Sequence, residues 1–260
     1  MLGRVVAVAW AAFLWAQAQE PFEHALWDSL LQLYTRNGRV HYTGIAREER
    51  FQRYLDSLAQ AQPERWSREA QMSFWLNAYN ACGVALVARR PGLRYIGQLD
   101  SLLQVDTFCI AGRPLTLAQI REQLRQFREP LLHFAAGGIA EGFPVLQRRA
   151  FTAGTLRRQL RECARRFLRS PRGCVLDLHT NTLWLSPLLQ WFAEDFRAGG
   201  RQLLDWVAEY AEPTIAAYVA VHRQRLLVEF LAFDGQVNRL ELPIVTSEPK
   251  PLKPPKRRKQ

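Results

Sequence analysis

The chain has 260 residues and a hydrophobic fraction of 48%, which supplies enough apolar side chains for a core and excludes a disordered protein as the default. The formal net charge of +11 would suggest nucleic-acid binding if the cations formed one surface. However, Arg4 and six cationic side chains near the C-terminus account for seven of these charges, which leaves +4 on the body of the chain. We therefore expect no nucleic-acid partner.

The first residues have the features of an export signal. Arg4 gives a positive start, residues 5–16 are continuously apolar, and Ala16-Gln17-Ala18 is the small-x-small pattern that signal peptidase reads. The apolar stretch is about half the length that spans a bilayer core. We therefore expect a signal peptide at residues 1–18 and a protein exported to the periplasm or the cell exterior. No integral membrane segment is expected after cleavage.

The C-terminal residues 249–260 are rich in Pro, Lys and Arg, a composition typical of an extended, disordered tail. Behind an export signal, such a tail is expected to stay solvated or to contact anionic surfaces of the cell envelope. The remaining residues 19–248 fit the length of a single globular domain.

The predicted elements, taken in chain order, are mostly helices with a few short strands. Helical spacing predicts helices at residues 22–37, 48–59, 68–89, 117–128, 152–167 and 188–196, with further helical patterns to residue 221. Strands are predicted at residues 40–42, 107–110, 113–115, 174–178, 183–185 and 226–233. Ser67 is a good N-cap, and Thr116 with Gln119 forms a capping box. The pattern predicts an α+β fold, a helix-rich single domain around a small, mainly antiparallel sheet built from hairpins.

One face of the helix predicted at residues 152–167 carries five arginines. They are Arg157, Arg158, Arg161, Arg165 and Arg166. Nucleic-acid sites usually interleave such cations with aromatic side chains for base stacking, and this face has none. A solvated basic face is the favoured interpretation, and contact with an anionic glycan or lipid is the alternative.

The four cysteines show neither a C-x-x-C pair nor metal-ligand spacing. They are Cys82, Cys109, Cys163 and Cys174. We expect no metal site and no cofactor. An oxidising compartment permits a disulfide, for which Cys163 with Cys174 is the first candidate, and four small buried side chains are the alternative. Cys174, at a strand start, is expected to be the least buried.

The segment Phe74-Trp75-Leu76-Asn77-Ala78-Tyr79-Asn80 resembles the signature of the domain of unknown function 547 family. Weaker pieces follow the family order, from Val40-His41-Tyr42 through His133-Phe134-Ala135 to the stretch ending at Asn238, so the resemblance covers about residues 40–238. This family has no settled biochemical activity. Its usual Cys beside a His-Phe-Ala segment implies thiol chemistry, because a neighbouring His can hold a thiolate.

This chain departs from the family pattern at the positions that would carry that chemistry. The usual Cys after His-Phe-Ala corresponds to Gly138, and the second usual Cys corresponds to Phe143. Neither side chain can act as a nucleophile or a metal ligand. The acidic residue usual on the capping-box helix corresponds to Arg121. The resemblance therefore implies that the scaffold is kept and the nucleophile is absent.

Five residues remain as candidates for a functional site. His133 is the candidate catalytic residue, and its alternative role is that of a core histidine that fixes its loop. Gly137 and Gly138 permit a close backbone approach and can present N–H groups to an anionic or carbonyl ligand. Asn77 and Asn80 lie on one helix face, where they either contact a ligand or hydrogen-bond the buried backbone around Gly137.

Two functions are open, and the sequence does not decide whether the protein is an enzyme. The first is a catalytically degenerate exported domain that binds an envelope protein or a small ligand through a cleft around His133, Gly137 and Gly138. The second is a hydrolase or acyl-transfer enzyme that uses His133 with Asp195 or Glu194 as its orienting carboxylate. A basic tail that contacts anionic surfaces is compatible with both.

Overall fold

The computed structural model of the protein describes residues 21–96 and 104–241. The predicted signal at residues 1–18 and the predicted tail at 249–260 lie outside the described residues. Within them, no helix combines the length and the apolarity that crossing a membrane requires.

The N-terminal region is a helix followed by a tight hairpin and two further helices. Its elements are α1 (Ala25–Tyr34), β1 (Thr35–Arg36), β2 (Arg39–Val40), α2 (Tyr42–Ile45) and α3 (Glu49–Ala59). The predicted helix over residues 22–37 is too long at its C-terminal end. Asn37 and Gly38 adopt positive φ angles of 51° and 79°, the backbone geometry of a two-residue hairpin turn. Val40-His41-Tyr42, predicted as one extended piece, instead leads from β2 into α2.

The helix α4 (Arg68–Ala88) is surrounded by the core. The Ser67 side chain accepts a hydrogen bond from the Ala70 N–H and so caps its N-terminus as predicted. Every residue from Met72 to Val87 is buried, including the polar Asn77 and Asn80. A helix buried on all sides cannot show the one-sided apolar stripe of a surface helix. The signature segment therefore lies inside the molecule.

A hairpin and a short helix follow, as predicted. They are β3 (Thr107–Ile110), β4 (Arg113–Thr116) and α5 (Leu117–Arg125). Thr116 and Gln119 form both bonds of the predicted capping box. The helix α5 packs against α4, which brings Arg121 and Arg125 close to the loop that carries His133.

The C-terminal half adds five helices and a three-stranded sheet. Its elements are α6 (Leu156–Leu168), β5 (Cys174–Asp177), β6 (Thr182–Leu185), α7 (Pro187–Trp191), α8 (Ala193–Arg197), α9 (Leu203–Tyr210), α10 (Pro213–His222) and β7 (Leu227–Phe230). β5 and β6 pair antiparallel, whereas β7 pairs parallel with β6. The prediction of a helix-rich α+β fold with small sheets is confirmed.

All four cysteines have free thiols, so Cys163 and Cys174 are not bonded to each other. The prediction that Cys174 is the least buried is wrong. Cys174 begins β5 with its side chain in the core, whereas Cys109 lies on the exposed face of β3, whose residues alternate between solvent and core. Successive side chains of a strand point to opposite faces, so the position of each Cys in its strand decides whether its thiol reaches solvent.

Candidate functional site

A short 3₁₀ helix, Pro130–Phe134, carries His133 into the protein. The Glu129 carboxylate accepts a hydrogen bond from the Leu131 N–H and caps the turn. The His133 ring is 7% exposed and stacks on the Phe192 ring, with 4.1 Å between the centroids and 15° between the planes. A buried imidazole needs a polar partner, and α8 supplies one.

That partner is Asp195, which joins His133 to Arg125 in one polar chain. His133 Nε2 lies 2.9 Å from Asp195 Oδ2. Arg125 donates from Nε to Oδ2 over 2.8 Å and from Nη2 to Oδ1 over 3.2 Å, a fork that binds both carboxylate oxygens. Because an ionised carboxylate accepts hydrogen bonds and donates none, Nε2 carries the proton of the neutral ring.

The environment keeps this pair in defined charge states. Burial lowers the pKa of His133 to about 4, although the neighbouring Asp195 carboxylate opposes the shift. Burial alone would raise the pKa of Asp195, but the hydrogen bonds from Arg125 and His133 lower that pKa overall. At neutral pH the site therefore holds a neutral imidazole beside an ionised carboxylate.

The space in front of His133, which we call the histidine cavity, is very small. It is lined by Arg121, Leu124, Arg125, Arg128, Glu129, Leu132, His133, Ala136 and Asp195. Its volume is about 10 Å³, close to the room that a single water needs. These lining residues include no Ser, Thr, Cys, Tyr or Lys. The structure thus places a potential base and its orienting carboxylate together, with no hydroxyl, thiol or amine nucleophile in the lining.

The side-chain amides of Asn77 and Asn80 form hydrogen bonds with the backbone of two loops. Asn80 donates to the Ala135 carbonyl over 3.1 Å and accepts from the Gly137 N–H over 3.2 Å. Asn77 makes the same pair of bonds with Phe151, which donates its N–H over 3.0 Å and accepts over 2.8 Å. Each side chain therefore satisfies one buried donor and one buried acceptor. Their ligand-binding role stays a prediction.

The backbone N–H groups of Gly137 and Gly138 are also used inside the protein. The Gly137 N–H donates to Asn80, and the Gly138 N–H donates to the Pro144 carbonyl over 3.1 Å. Gly138 has a φ of 74°, and a Cβ added there would lie 2.8 Å from Leu146 Cβ. Glycine thus fits a positive φ and a tight contact with the following segment. Ligand binding by these N–H groups stays a prediction.

Asn238 is a buried polar residue that was not singled out from the sequence. Its amide nitrogen donates to the carbonyls of Gly38 and Gly138, and its amide oxygen accepts from the Tyr42 hydroxyl. It therefore ties the N-terminal hairpin to the loop after His133. Its sequence signal was weak, since it stood only at the end of the resemblance to the family.

A second cavity, which we call the arginine cavity, lies between α6 and the segment after Gly138. Its volume is about 620 Å³. It is lined by Asn37, Gly38, Phe134, Phe143, Pro144, Val145, Leu146, Gln147, Arg148, Cys163, Arg166, Phe167, Ser170, Pro171 and Arg172. His133 and Phe134 are consecutive in the chain, and each contributes to a different cavity. Sequence reasoning missed this cavity because its walls come from distant segments.

The described residues contain no cluster of three or more His, Cys, Asp or Glu side chains placed to hold a metal ion. Fold and site together define a helix-rich α+β domain with a buried histidine that an aspartate–arginine pair holds in place.

Residues 63–168 match the sequence model of the family described as protein of unknown function, DUF547. The predicted resemblance to this family is thereby confirmed over that segment, which includes α4, α5, the His133 turn and α6. No curated protein matches the chain, and no solved structure does.

Proposed function

We propose that this chain is an exported, catalytically degenerate member of its family that binds a ligand or a protein partner in the cell envelope. The observation that carries the proposal is the contrast between the two cavities. The histidine cavity, at about 10 Å³, has no room for a substrate. The arginine cavity, at about 620 Å³, falls within the range of small-molecule sites. Export rests on the predicted signal at residues 1–18, and the basic tail would add contact with anionic surfaces.

The state of the cysteines supports the loss of thiol chemistry. Burial raises the pKa of Cys163 and of Cys174 to about 12, and burial also raises the pKa of Cys82 above its usual range. Since the thiolate is the nucleophile, these three thiols are inert at neutral pH. Cys109 is exposed, but it lies on β3 and lines neither cavity.

The pairing of His133 with Asp195 favours a second candidate, a hydrolase or acyl-transfer enzyme. In a Ser-His-Asp triad, the carboxylate orients the imidazole and fixes its tautomer. Asp195 is placed to do this for His133, whereas Glu194 is exposed and makes no such contact. The second candidate requires a nucleophile from outside the lining of the histidine cavity.

A turnover assay separates the two candidates. The full-length protein and a His133→Gln variant are assayed with p-nitrophenyl esters of short and long acyl chains. We expect the same background hydrolysis from both proteins, because the lining of the histidine cavity has no hydroxyl, thiol or amine nucleophile. Hydrolysis that is lost in a folded His133→Gln protein would reject catalytic degeneracy and support the enzyme. Cys109→Ser serves as a control for chemistry at the exposed thiol.

The export part of the proposal has its own test. The chain is expressed with its own N-terminus in a bacterial host, the cells are fractionated, and the N-terminus of the product is sequenced. We expect periplasmic or secreted protein that begins at Gln19. Uncleaved protein in the cytoplasm would reject export and leave the binding proposal to be judged on the cavity alone.

A further inference from the structure

The floor of the arginine cavity is apolar and buried. Phe134, Phe143, Leu146, Cys163 and Phe167 line it, and each is at most 5% exposed. Because these side chains have little surface left to bury, a ligand on this floor is stabilised mainly by removing its own apolar surface from water, at about 25 cal/mol per Å². The floor therefore selects a hydrocarbon chain over a polar molecule.

The rim of the same cavity is cationic. Arg148, Arg166 and Arg172 line it and are exposed. Arg172 is paired with the Glu141 carboxylate. Arg166 donates to the neutral Gln147 amide over 2.8 Å, and Arg148 donates to the Gln32 carbonyl over 2.9 Å. Within residues 21–96 and 104–241, neither of these two arginines has a carboxylate within 4.0 Å.

We propose that the arginine cavity binds an amphipathic anion, with an acyl chain against the apolar floor and the charged head between Arg148 and Arg166. This inference rests on the proposed binding function and names the chemical class of its ligand. Guanidinium groups bind carboxylates and phosphates through paired N–H donors. A fatty acid and a single-chain phospholipid share the required chemistry.

The charge of the rim also argues against an occupant from this chain. The predicted tail at residues 249–260 carries six cationic side chains, which two uncompensated arginines would repel. A neutral apolar ligand would fill the floor but give Arg148 and Arg166 no anionic partner. An anionic head on a hydrocarbon chain satisfies both parts of the cavity.

The test is titration calorimetry of the full-length protein with four twelve-carbon probes, each below its critical micelle concentration. The probes are dodecanoate, dodecyl phosphate, dodecanol and dodecyltrimethylammonium. We expect the two anions to bind at least about tenfold more tightly than the other two, because charge-assisted hydrogen bonds form only with the anions. Shortening dodecanoate to octanoate is expected to weaken binding about two- to fourfold per methylene removed. The ratio of dodecanoate to dodecyl phosphate affinity distinguishes a free fatty acid from a phospholipid head.

Two matched double variants locate the head group. Arg148→Gln with Arg166→Gln should weaken binding of both anions about tenfold or more. Arg158→Gln with Arg165→Gln removes the same charge from exposed positions of α6 outside the cavity lining, so its effect should stay within about twofold after screening by salt.

Three results would overturn the inference. They are equal binding of dodecanol and dodecanoate, equal losses in the two double variants, and no binding of any probe. None of these results changes the outcome of the turnover assay, so the proposed ligand class can be rejected while catalytic degeneracy stands. Conversely, His133-dependent hydrolysis would reject the proposed function whether or not the anions bind.

Discussion

The two cavities differ in every property that matters for binding, although consecutive residues of one short helix contribute to them. The histidine cavity has charged walls and room for about one water. The arginine cavity has an apolar floor, a cationic rim and a volume of about 620 Å³. His133, the candidate catalytic residue of the sequence, lines the first cavity, whereas only the second has the volume of a small-molecule site.

This difference shows what the polar residues around His133 do in the described structure. Asp195 hydrogen-bonds His133 and is itself held by Arg125, and Asn80 hydrogen-bonds the loop that follows His133. These bonds therefore hold the segment from His133 to Gly137, in which His133 lines the histidine cavity and Phe134 lines the arginine cavity.

The largest expected effect comes from removing one of the buried amides. Asn80→Ala leaves the Ala135 carbonyl and the Gly137 N–H unpaired in the protein interior. Each unpaired buried group costs about 1–3 kcal/mol, so we expect the free energy of unfolding to fall by about 4 kcal/mol. Urea denaturation measures this loss. A loss below about 1 kcal/mol would show that water or a shifted loop replaces the bonds.

A second amide provides the matched control. Asn77→Ala removes the same two kinds of bond, but from Phe151 rather than from the loop between the cavities. We expect a similar loss of stability from both variants and weaker dodecanoate binding from Asn80→Ala alone. Equal binding by the two variants would argue that the loop does not shape the arginine cavity. The exposed Gln52→Ala variant sets the baseline, within about 0.5 kcal/mol of wild type.

The next effect concerns the glycine at the position where the family resemblance implies a thiol. Gly138→Cys forces a side chain onto a φ of 74° and places its Cβ 2.8 Å from Leu146 Cβ. The positive φ costs about 1–2 kcal/mol and overpacking about 1–3 kcal/mol, so we expect a loss of about 3 kcal/mol in unfolding free energy. Urea denaturation and the rate of thiol alkylation are the measurements.

Gly92→Cys is the control, because no atom lies within 4 Å of the added Cβ and the glycine is exposed. Its stability should stay within about 0.5 kcal/mol of wild type. A stable Gly138→Cys protein that reacts quickly with an alkylating reagent would mean that the loop accepts an accessible thiol next to Leu146. That result would contradict the tight packing of glycine at this position.

Local capping chemistry made several elements predictable from the sequence. Ser67 begins α4, and Thr116 with Gln119 begins α5, because caps act within one turn. Parallel pairing of β7 with β6 was not predictable in this way, since it depends on packing between distant segments. The same reason explains the overlong helix at residues 22–37, where a hairpin competes with helical spacing.

The candidate site was predictable to a similar extent. The motifs selected His133 and Asn80, and the buried-backbone role considered for Asn80 agrees with its bonds in the structure. The sequence left Asp195 and Glu194 equally open as partners of His133. The short helix α8 decides between them, because its turn points Asp195 at His133 and Glu194 at solvent. That turn depends on tertiary packing rather than on local spacing.

The smallest of these effects is the contribution of His133 to acid sensitivity. Its pKa is about 4 in the folded protein and about 6.5 in the unfolded chain, so the unfolded state binds the proton more readily. The contribution of neutral His133 to the free energy of unfolding is present above pH 6.5 and is lost as the pH falls towards 4. Between pH 7.5 and pH 5 we expect His133 to account for a loss of about 2 kcal/mol in unfolding free energy. Urea denaturation of wild type and His133→Gln at both pH values measures it.

His24 must be separated from this effect, because burial lowers its pKa to about 3 and it titrates in the same direction. The His24→Gln variant should therefore remove a similar share of the acid sensitivity, and the double variant should remove both. If His133→Gln leaves the loss between pH 7.5 and pH 5 unchanged while His24→Gln reduces it, then the imidazole of His133 is not held neutral by burial. The histidine cavity would then admit water and charge, and the contrast with the arginine cavity would rest on volume alone.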